Sequence, residues 1–199
     1  MSPQPIRKPT SQQRQGSSNL VRIIGGQWRS RRLKFASVPG LRPTPDRVRE
    51  TLFNWLQIQI PAARCLDLFA GSGALGFEAL SRGAAGVVMV EKHPAAAQAL
   101  QENITLLAAH NAVLVNDDAL RYLQRETEGF DLIFLDPPFR QNLLETILEL
   151  IVTKQLLKPH GMLYLEQELE ASTDIARFGL RIHRQTQAGQ VQSLLLTRV

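Results

Sequence analysis

Apolar positions in the second half of the chain fall into short unbroken runs, spaced by longer stretches in which they recur at helical intervals. The clearest run is Phe130-Asp131-Leu132-Ile133-Phe134-Leu135, the pattern of a strand buried on both faces. Asp136-Pro137-Pro138-Phe139 ends it at once, since neither proline can donate to a sheet ladder and each holds the residue before it extended. The same reading predicts strands over 64–70, 86–91, 112–116 and 162–167, alternating with helices over 74–82, 94–109, 118–125 and 142–157. Strand and helix alternating through short joints specify a parallel sheet with helices on both faces, because parallel neighbours need a crossover. Two final runs, 179–186 and 190–199, flank Ala188-Gly189 and predict a hairpin that adds an antiparallel strand to the sheet edge.

The first 50 residues follow another pattern. Residues 1–19 are rich in Ser, Gln, Pro and Arg with almost nothing to bury, so disorder is expected there. Two β-prone runs, 20–24 and 27–35, surround Gly25-Gly26, which predicts a hairpin with a tight glycine turn. This arm, 20–43 with its linker, would present Arg22, Arg29, Arg31, Arg32 and Lys34 around Trp28. Such a mixture suits RNA backbone contact with base stacking, although Trp28 equally suits packing the arm onto the body. Thr44 and Pro45 predict an N-cap and a first-turn proline. Val48, Leu52, Trp55 and Leu56 then recur on one helix face, leaving Arg47, Arg49 and Glu50 on the polar face. The remaining domain is 44–199.

Charge sharpens this division. Of 23 Lys and Arg, 11 lie within residues 1–50 beside two acids, whereas residues 51–199 carry 12 against 16 acids. A local basic block of this kind is a footprint for a polyanion. With 199 residues, one cysteine and no apolar stretch near the roughly 18 residues of a membrane helix, the expectation is one principal domain in the cytoplasm, without disulfide or membrane span. Cys65 sits in an apolar run and reads as a core thiol. The four histidines have no ligand spacing, so no metal is expected.

The first core strand leads into Asp67-Leu68-Phe69-Ala70-Gly71-Ser72-Gly73-Ala74-Leu75-Gly76. Ligands of open parallel sheets bind beyond the strands' carboxyl ends, where glycines permit close approach. Glu91 follows Gly71 by 20 residues, a spacing at which an acid accepts from ribose hydroxyls. Asp67 is a poor neighbour for pyrophosphate and a good one for an ammonium group, and Asp118 with Ala119 stands where an adenine amino group can be met. A nucleoside with a cationic, amino-acid-like tail fits these features, which describes S-adenosylmethionine. Asp136, with its carboxylate, the following carbonyl and the aromatic Phe139, suits a planar ring bearing an amino group.

Taken together, Arg22-Ile23-Ile24-Gly25-Gly26-Gln27-Trp28-Arg29, the block from Leu41 to Leu56 containing Arg42-Pro43-Thr44-Pro45-Asp46-Arg47-Val48-Arg49-Glu50, the glycine loop and Asp136-Pro137-Pro138-Phe139 resemble a bacterial family of class I S-adenosylmethionine-dependent methyltransferases that modify the exocyclic N2 of a guanine in 16S ribosomal RNA. The resemblance implies a Rossmann-like fold with a mostly parallel seven-stranded sheet. It implies that Gly71 and Gly73 line the methionine part of the cofactor, with Ala70 in the same loop, that Glu91 holds the ribose, that Asp118 and Ala119 meet the adenine, and that Arg47 borders the site. It leaves contacts from Lys92, His93 and Pro94 open. Direct transfer to the amino nitrogen would use Asp136, Pro137, Pro138 and Phe139 for orientation, with Asp136 near an ordinary carboxylate pKa of about 4. The partner implied is 16S rRNA in the small subunit, and a monomer is the simplest state. The alternatives are an adenine-N6 nucleic-acid methyltransferase and a non-enzymatic RNA-binding module.

Overall fold

The computed structural model describes residues 19–137, 143–170 and 173–199. The tail over 1–18 and the positions of Pro138 and Phe139 lie outside the described residues. Nine strands are described: β1 (Leu20–Arg22), β2 (Arg32–Lys34), β3 (Arg64–Asp67), β4 (Gly86–Val90), β5 (Ala112–Val115), β6 (Phe130–Leu135), β7 (Leu157–Glu168), β8 (Leu180–Ala188) and β9 (Val191–Arg198). The helices are α1 (Asp46–Trp55), α2 (Ala74–Ser81), α3 (Pro94–Leu107), α4 (Ala119–Arg125) and α5 (Leu144–Thr153). Seven strands form one sheet in the order β5-β4-β3-β6-β7-β9-β8, and β1 pairs only with β2.

β3 to β7 run parallel, while β9 is antiparallel to both β7 and β8. The final hairpin therefore inserts β9 beside β7 and leaves β8 as the edge. The order reverses direction between β3 and β6, opening the crevice in which ligands of such sheets bind. Each buried strand divides its side chains between two cores. Cys65, Met89, Leu132, Phe134 and Tyr164 face α1, α2, α3 and the arm, whereas Leu66, Val90, Ile133, Leu135 and Leu165 face α4 and α5. Phe134 links Phe53 of α1 to Tyr164, with ring centroids 6.0 and 6.4 Å away.

Several expectations are corrected. β1 and β2 form the predicted hairpin, but their connection is the loop 23–31 and not a two-residue Gly-Gly turn. The glycines are needed for docking: Gly26 has φ +74°, and a Cβ there would lie 1.8 Å from the Ser81 carbonyl oxygen. Ile24 and Gly25 donate their backbone N–H groups to the buried Glu78 carboxylate at 2.7 and 2.8 Å, and the Trp28 N–H donates to Ser81 Oγ at 2.9 Å. α2 is consequently buried on all sides, between sheet and arm.

Arg49, expected on a polar face, is 1% exposed. Its guanidinium donates to the Arg22 and Thr44 carbonyls at 2.8 and 3.1 Å and pairs with Asp46 at 2.6 Å and Glu78 at 3.5 Å. Pro45 precedes α1 as its cap, its carbonyl accepting from Val48 and Arg49. The buried Thr44 does not cap the helix; its hydroxyl instead binds Glu166. The helix expected over 142–157 is described from Leu144 to Thr153, and the strand expected over 162–167 begins at Leu157.

Candidate active site

Four acids stand in a row on one face of the sheet. Asp67 is in register with Met89 of β4 and with Phe134 of β6, and Phe134 with Tyr164 of β7. Side chains two residues apart share a face, so Glu91, Asp136 and Glu166 each follow that register row by one step. Across the sheet the order is Glu91, Asp67, Asp136, Glu166. All four line a cavity of about 1120 Å³ closed on one side by the segment 38–45 and continued by Gly71, Asp118 and Ala119.

At the β3 end the acids are oriented by backbone donors. Asp67, 3% exposed, accepts from the Gly76 N–H at 2.9 Å, which fastens the first turn of α2. Burial pushes its pKa up to about 7 despite that bond, with the Glu91 charge adding to the rise. The Glu91 carboxylate accepts from Gly71 N–H at 2.9 Å and His93 N–H at 2.6 Å, one oxygen each. His93 caps α3 through Nδ1, with Pro94 in the first turn. Asn116 Nδ2 donates to the carbonyls of Glu91 and Lys92. Of Lys92, His93 and Pro94, whose contacts the resemblance left open, His93 thus helps fix where the Glu91 carboxylate points.

Asp118 caps α4, accepting from Leu120 N–H at 3.0 Å and Arg121 N–H at 3.4 Å, and pairs with Lys92 Nζ at 3.1 Å. Its burial works against ionisation, but the Lys92 bond and the helix donors outweigh it and hold the carboxyl below the usual range. Ala119 follows as a buried residue at the cavity wall.

Asp136 differs from these three. Its carboxyl has no hydrogen-bond donor among the described residues, and burial first, then the charges of Glu166 and Asp67, raise its pKa well above the ordinary value. The expectation of an ordinary carboxylate near 4 is corrected for the protein alone, because acids on both sides disfavour its charge. Glu166, 5% exposed, is also raised by burial, although the Tyr164 hydroxyl donates to Oε1 at 2.7 Å and Thr44 bonds it as well. Among the described residues no lysine or arginine pairs with either acid.

The sequence-predicted residues Asp67, Ala70, Gly71, Glu91, Asp118, Ala119, Asp136 and Pro137 meet at this cavity. Gly73 supports it from behind: its N–H donates to Ala70 O at 2.6 Å, it adopts φ +76°, and a Cβ there would come within 2.5 Å of Phe77. Arg47 is exposed and outside the lining. Glu166 and the segment 38–45 were not assigned to the site from sequence; an acid at the carboxyl end of an apolar run, the signal that marked Asp136, was present at Glu166 too. Cys65 is fully buried, and burial with the nearby charges of Asp131 and Asp67 pushes its thiol up to about 12.

The basic residues Arg29, Arg31, Arg32 and Lys34 are exposed on the arm. Arg22 is also exposed and pairs with Asp46 at 3.0 Å. Trp28 is half-buried and packs against the core with Phe35. The arm loop meets α2 at Ser81, whereas the cavity opens at Ala74. The arm contacts at Glu78 and Ser81 therefore lie roughly 6 to 10 Å along α2 from Ala74, at 1.5 Å per residue.

A family profile described as "Conserved hypothetical protein 95" matches residues 21–197. The ribosomal RNA small subunit methyltransferase D of Escherichia coli (strain K12) is 47% identical over 181 residues, covering 91% of each chain. The protein of the same name from Haemophilus influenzae is 46% identical over 152 residues, covering 74% of this chain and 79% of that one. A solved Escherichia coli structure, provisionally described as a methyltransferase, superposes with a TM-score of 0.82 at 47% identity, covering 90% of this chain and 98% of that chain. With the site's elements in the same order as the sheet requires, the chain belongs to the family of ribosomal RNA small subunit methyltransferases D.

Proposed function

We infer that this protein transfers a methyl group from S-adenosylmethionine to the exocyclic N2 of a guanine in 16S rRNA of the small ribosomal subunit. The observation that carries the reading is the Asp136 carboxyl: half-buried at the tip of β6, without a hydrogen-bond donor among the described residues, and lining a cavity with three other acids. Such a group is open to donors from a ligand, and accepting them offsets the desolvation that raises its proton affinity. The names of the relatives support ribosomal RNA of the small subunit as the carrier, and the exposed arm arginines support an RNA backbone contact.

The donor set suits the cofactor. Asp67, with no neighbouring cation among the described residues, favours a ligand bearing sulfonium and ammonium charges. Glu91, held by two backbone N–H groups, keeps lone pairs for ribose hydroxyls, and Asp118 with Ala119 at the cavity wall supports an adenine contact. S-adenosylmethionine, when bound, supplies an electrophilic methyl group.

The rest of the chemistry lies with the protein. A guanine amino nitrogen is a weak nucleophile because its lone pair is delocalised into the ring. Acceptance of its hydrogens by the Asp136 carboxylate and the Pro137 carbonyl turns that lone pair out of conjugation and aims it. As the nitrogen becomes cationic, Asp136 takes the proton, a step suited to a carboxyl whose proton affinity the site has raised. Phe139 is assigned to stack on the base, and preorganised acceptors supply most of the catalysis.

The test is to incubate the protein with labelled S-adenosylmethionine and either naked 16S rRNA or small subunits, then identify the methylated nucleoside by mass. N2-methylguanosine is expected. N6-methyladenosine, or no labelled nucleoside from either substrate, would sink the reading.

A further inference from the structure

We propose that Glu166 is a specificity-determining residue that accepts the ring N1–H of the target guanine beside Asp136, so that the paired acids select guanine over adenine. This rests on the guanine-N2 reading above and deepens it.

Sheet order supplies the first argument. Glu91 on the β4 side, Asp67 on β3 and Asp118 beyond β5 occupy one flank of Asp136, and Glu166 on β7 occupies the other. A cofactor lying across the tips of β3, β4 and β5 leaves Glu166 to the acceptor base. Leu135 and Leu165 are register partners, so the next residues, Asp136 and Glu166, stand on neighbouring parallel strands about 4.8 Å apart.

Orientation supplies the second. The Tyr164 hydroxyl, itself bonded to Ser193, and the Thr44 hydroxyl hold the Glu166 carboxyl without neutralising it. Asp136 has no donor among the described residues, so with both carboxyls ionised the pair presents acceptors alone, a state their mutual repulsion opposes and two donors from a base favour. The Watson–Crick edge of guanine offers two adjacent donor groups, N1–H and the 2-amino group. That of adenine offers an amino donor beside an N1 lone pair, which would face a carboxylate. A site built to hydrogen-bond one edge rejects the other by leaving its own buried groups unpaired.

The competing role is structural, with Glu166 merely tying Thr44 and the 38–45 segment to β7. A base-analogue experiment separates the two. In 16S rRNA ligated to carry either guanine or 2-aminopurine at the methylated position, the analogue keeps the 2-amino group and replaces N1–H with a lone pair. The wild-type protein is expected to methylate the analogue at least about 100-fold more slowly than guanine. In Glu166→Gln, whose amide can turn to donate, the guanine rate falls while the analogue's does not, narrowing the ratio by about tenfold or more. Cofactor affinity and melting temperature stay near wild type. A folded Glu166→Gln protein that keeps the wild-type ratio overturns the proposal. So does a wild-type protein that accepts both bases equally, whatever the variant's fold. A wild-type protein that leaves guanine unmethylated overturns the guanine-N2 reading itself, and this proposal with it.

Discussion

Replacing Glu78 with alanine tests whether one buried carboxylate latches the arm to the body. Glu78 is fully buried and accepts from Ile24 N–H, Gly25 N–H and Arg82 Nε at 2.7, 2.8 and 2.7 Å, with Arg49 at 3.5 Å. Its removal strands two backbone donors and removes a counter-charge from Arg49, which is itself 1% exposed. Arg82 is partly exposed and can turn to water, so the loss centres on the arm and Arg49. Removing one member of a buried ion pair costs about 3–5 kcal/mol. For a chain of this size each kcal/mol lowers the melting temperature by about 2–4 °C, giving a fall of roughly 6–20 °C if arm and body unfold together. If the arm opens alone, the melting shift is smaller and the loss appears as faster hydrogen exchange at the Ile24 and Gly25 amides and as tryptic cleavage after Arg29, Arg31 or Arg32. Calorimetry and exchange on the same preparation cover both cases. A melting temperature within about 2 °C of wild type, with unchanged protection at both amides, would refute the latch.

Three further expectations follow from other parts of the fold. Gly26→Ala should destabilise by about 2 kcal/mol or more, because φ +74° and a 1.8 Å approach to the Ser81 carbonyl both penalise a Cβ; an unshifted urea midpoint would contradict the docking role. Asp67 has a folded pKa raised to about 7 from 3.8, so its contribution to stability is fully present below about pH 4 and lost as pH rises through 7. A cationic ligand beside it should release that proton and bind more tightly between pH 5 and 7, and calorimetry in buffers of different ionisation enthalpy showing proton uptake, or flat affinity, would remove Asp67 from the cofactor site. Neutralising the exposed Arg29, Arg31 and Arg32 together should weaken RNA binding and flatten its log–log salt dependence by up to about two to three units; an unchanged slope would return them to a solvated surface.

The sheet was legible because its strands are unbroken apolar runs. Phe130–Leu135 matches its predicted bounds, and α2, α3 and α4 fall within about two residues of theirs. β7 was truncated in prediction because Pro159 and Gly161 interrupt its pattern, while Leu157 in fact pairs with Phe130 across a register shift. A glycine pair cannot announce whether it is needed for a turn or for close approach, and Gly25-Gly26 proved to serve the second against Ser81. Arg49 looked solvent-facing because Glu78, its buried partner, lies 29 positions later and is brought to it only by tertiary packing. At the cavity, Asp67, Gly71, Glu91, Asp118 and Asp136 were readable from loop spacing and strand ends. Glu166 carried the same strand-end signal without a motif beside it, and its bond to Thr44 was not readable, since it joins a linker to a strand distant in sequence. The raised proton affinity of Asp136 was hidden for the same reason: two of its causes, Glu166 and Asp67, belong to other strands.

The central claim concerns Asp136, and Asp136→Ala tests it most directly. Purified small subunits and labelled S-adenosylmethionine are given to wild type and variant in single turnover, with cofactor affinity measured in parallel. The account predicts N2-methylguanosine from the wild type, a loss of at least about 1,000-fold in the variant, and cofactor affinity within about threefold of wild type. Full methylation by a folded Asp136→Ala protein would contradict it.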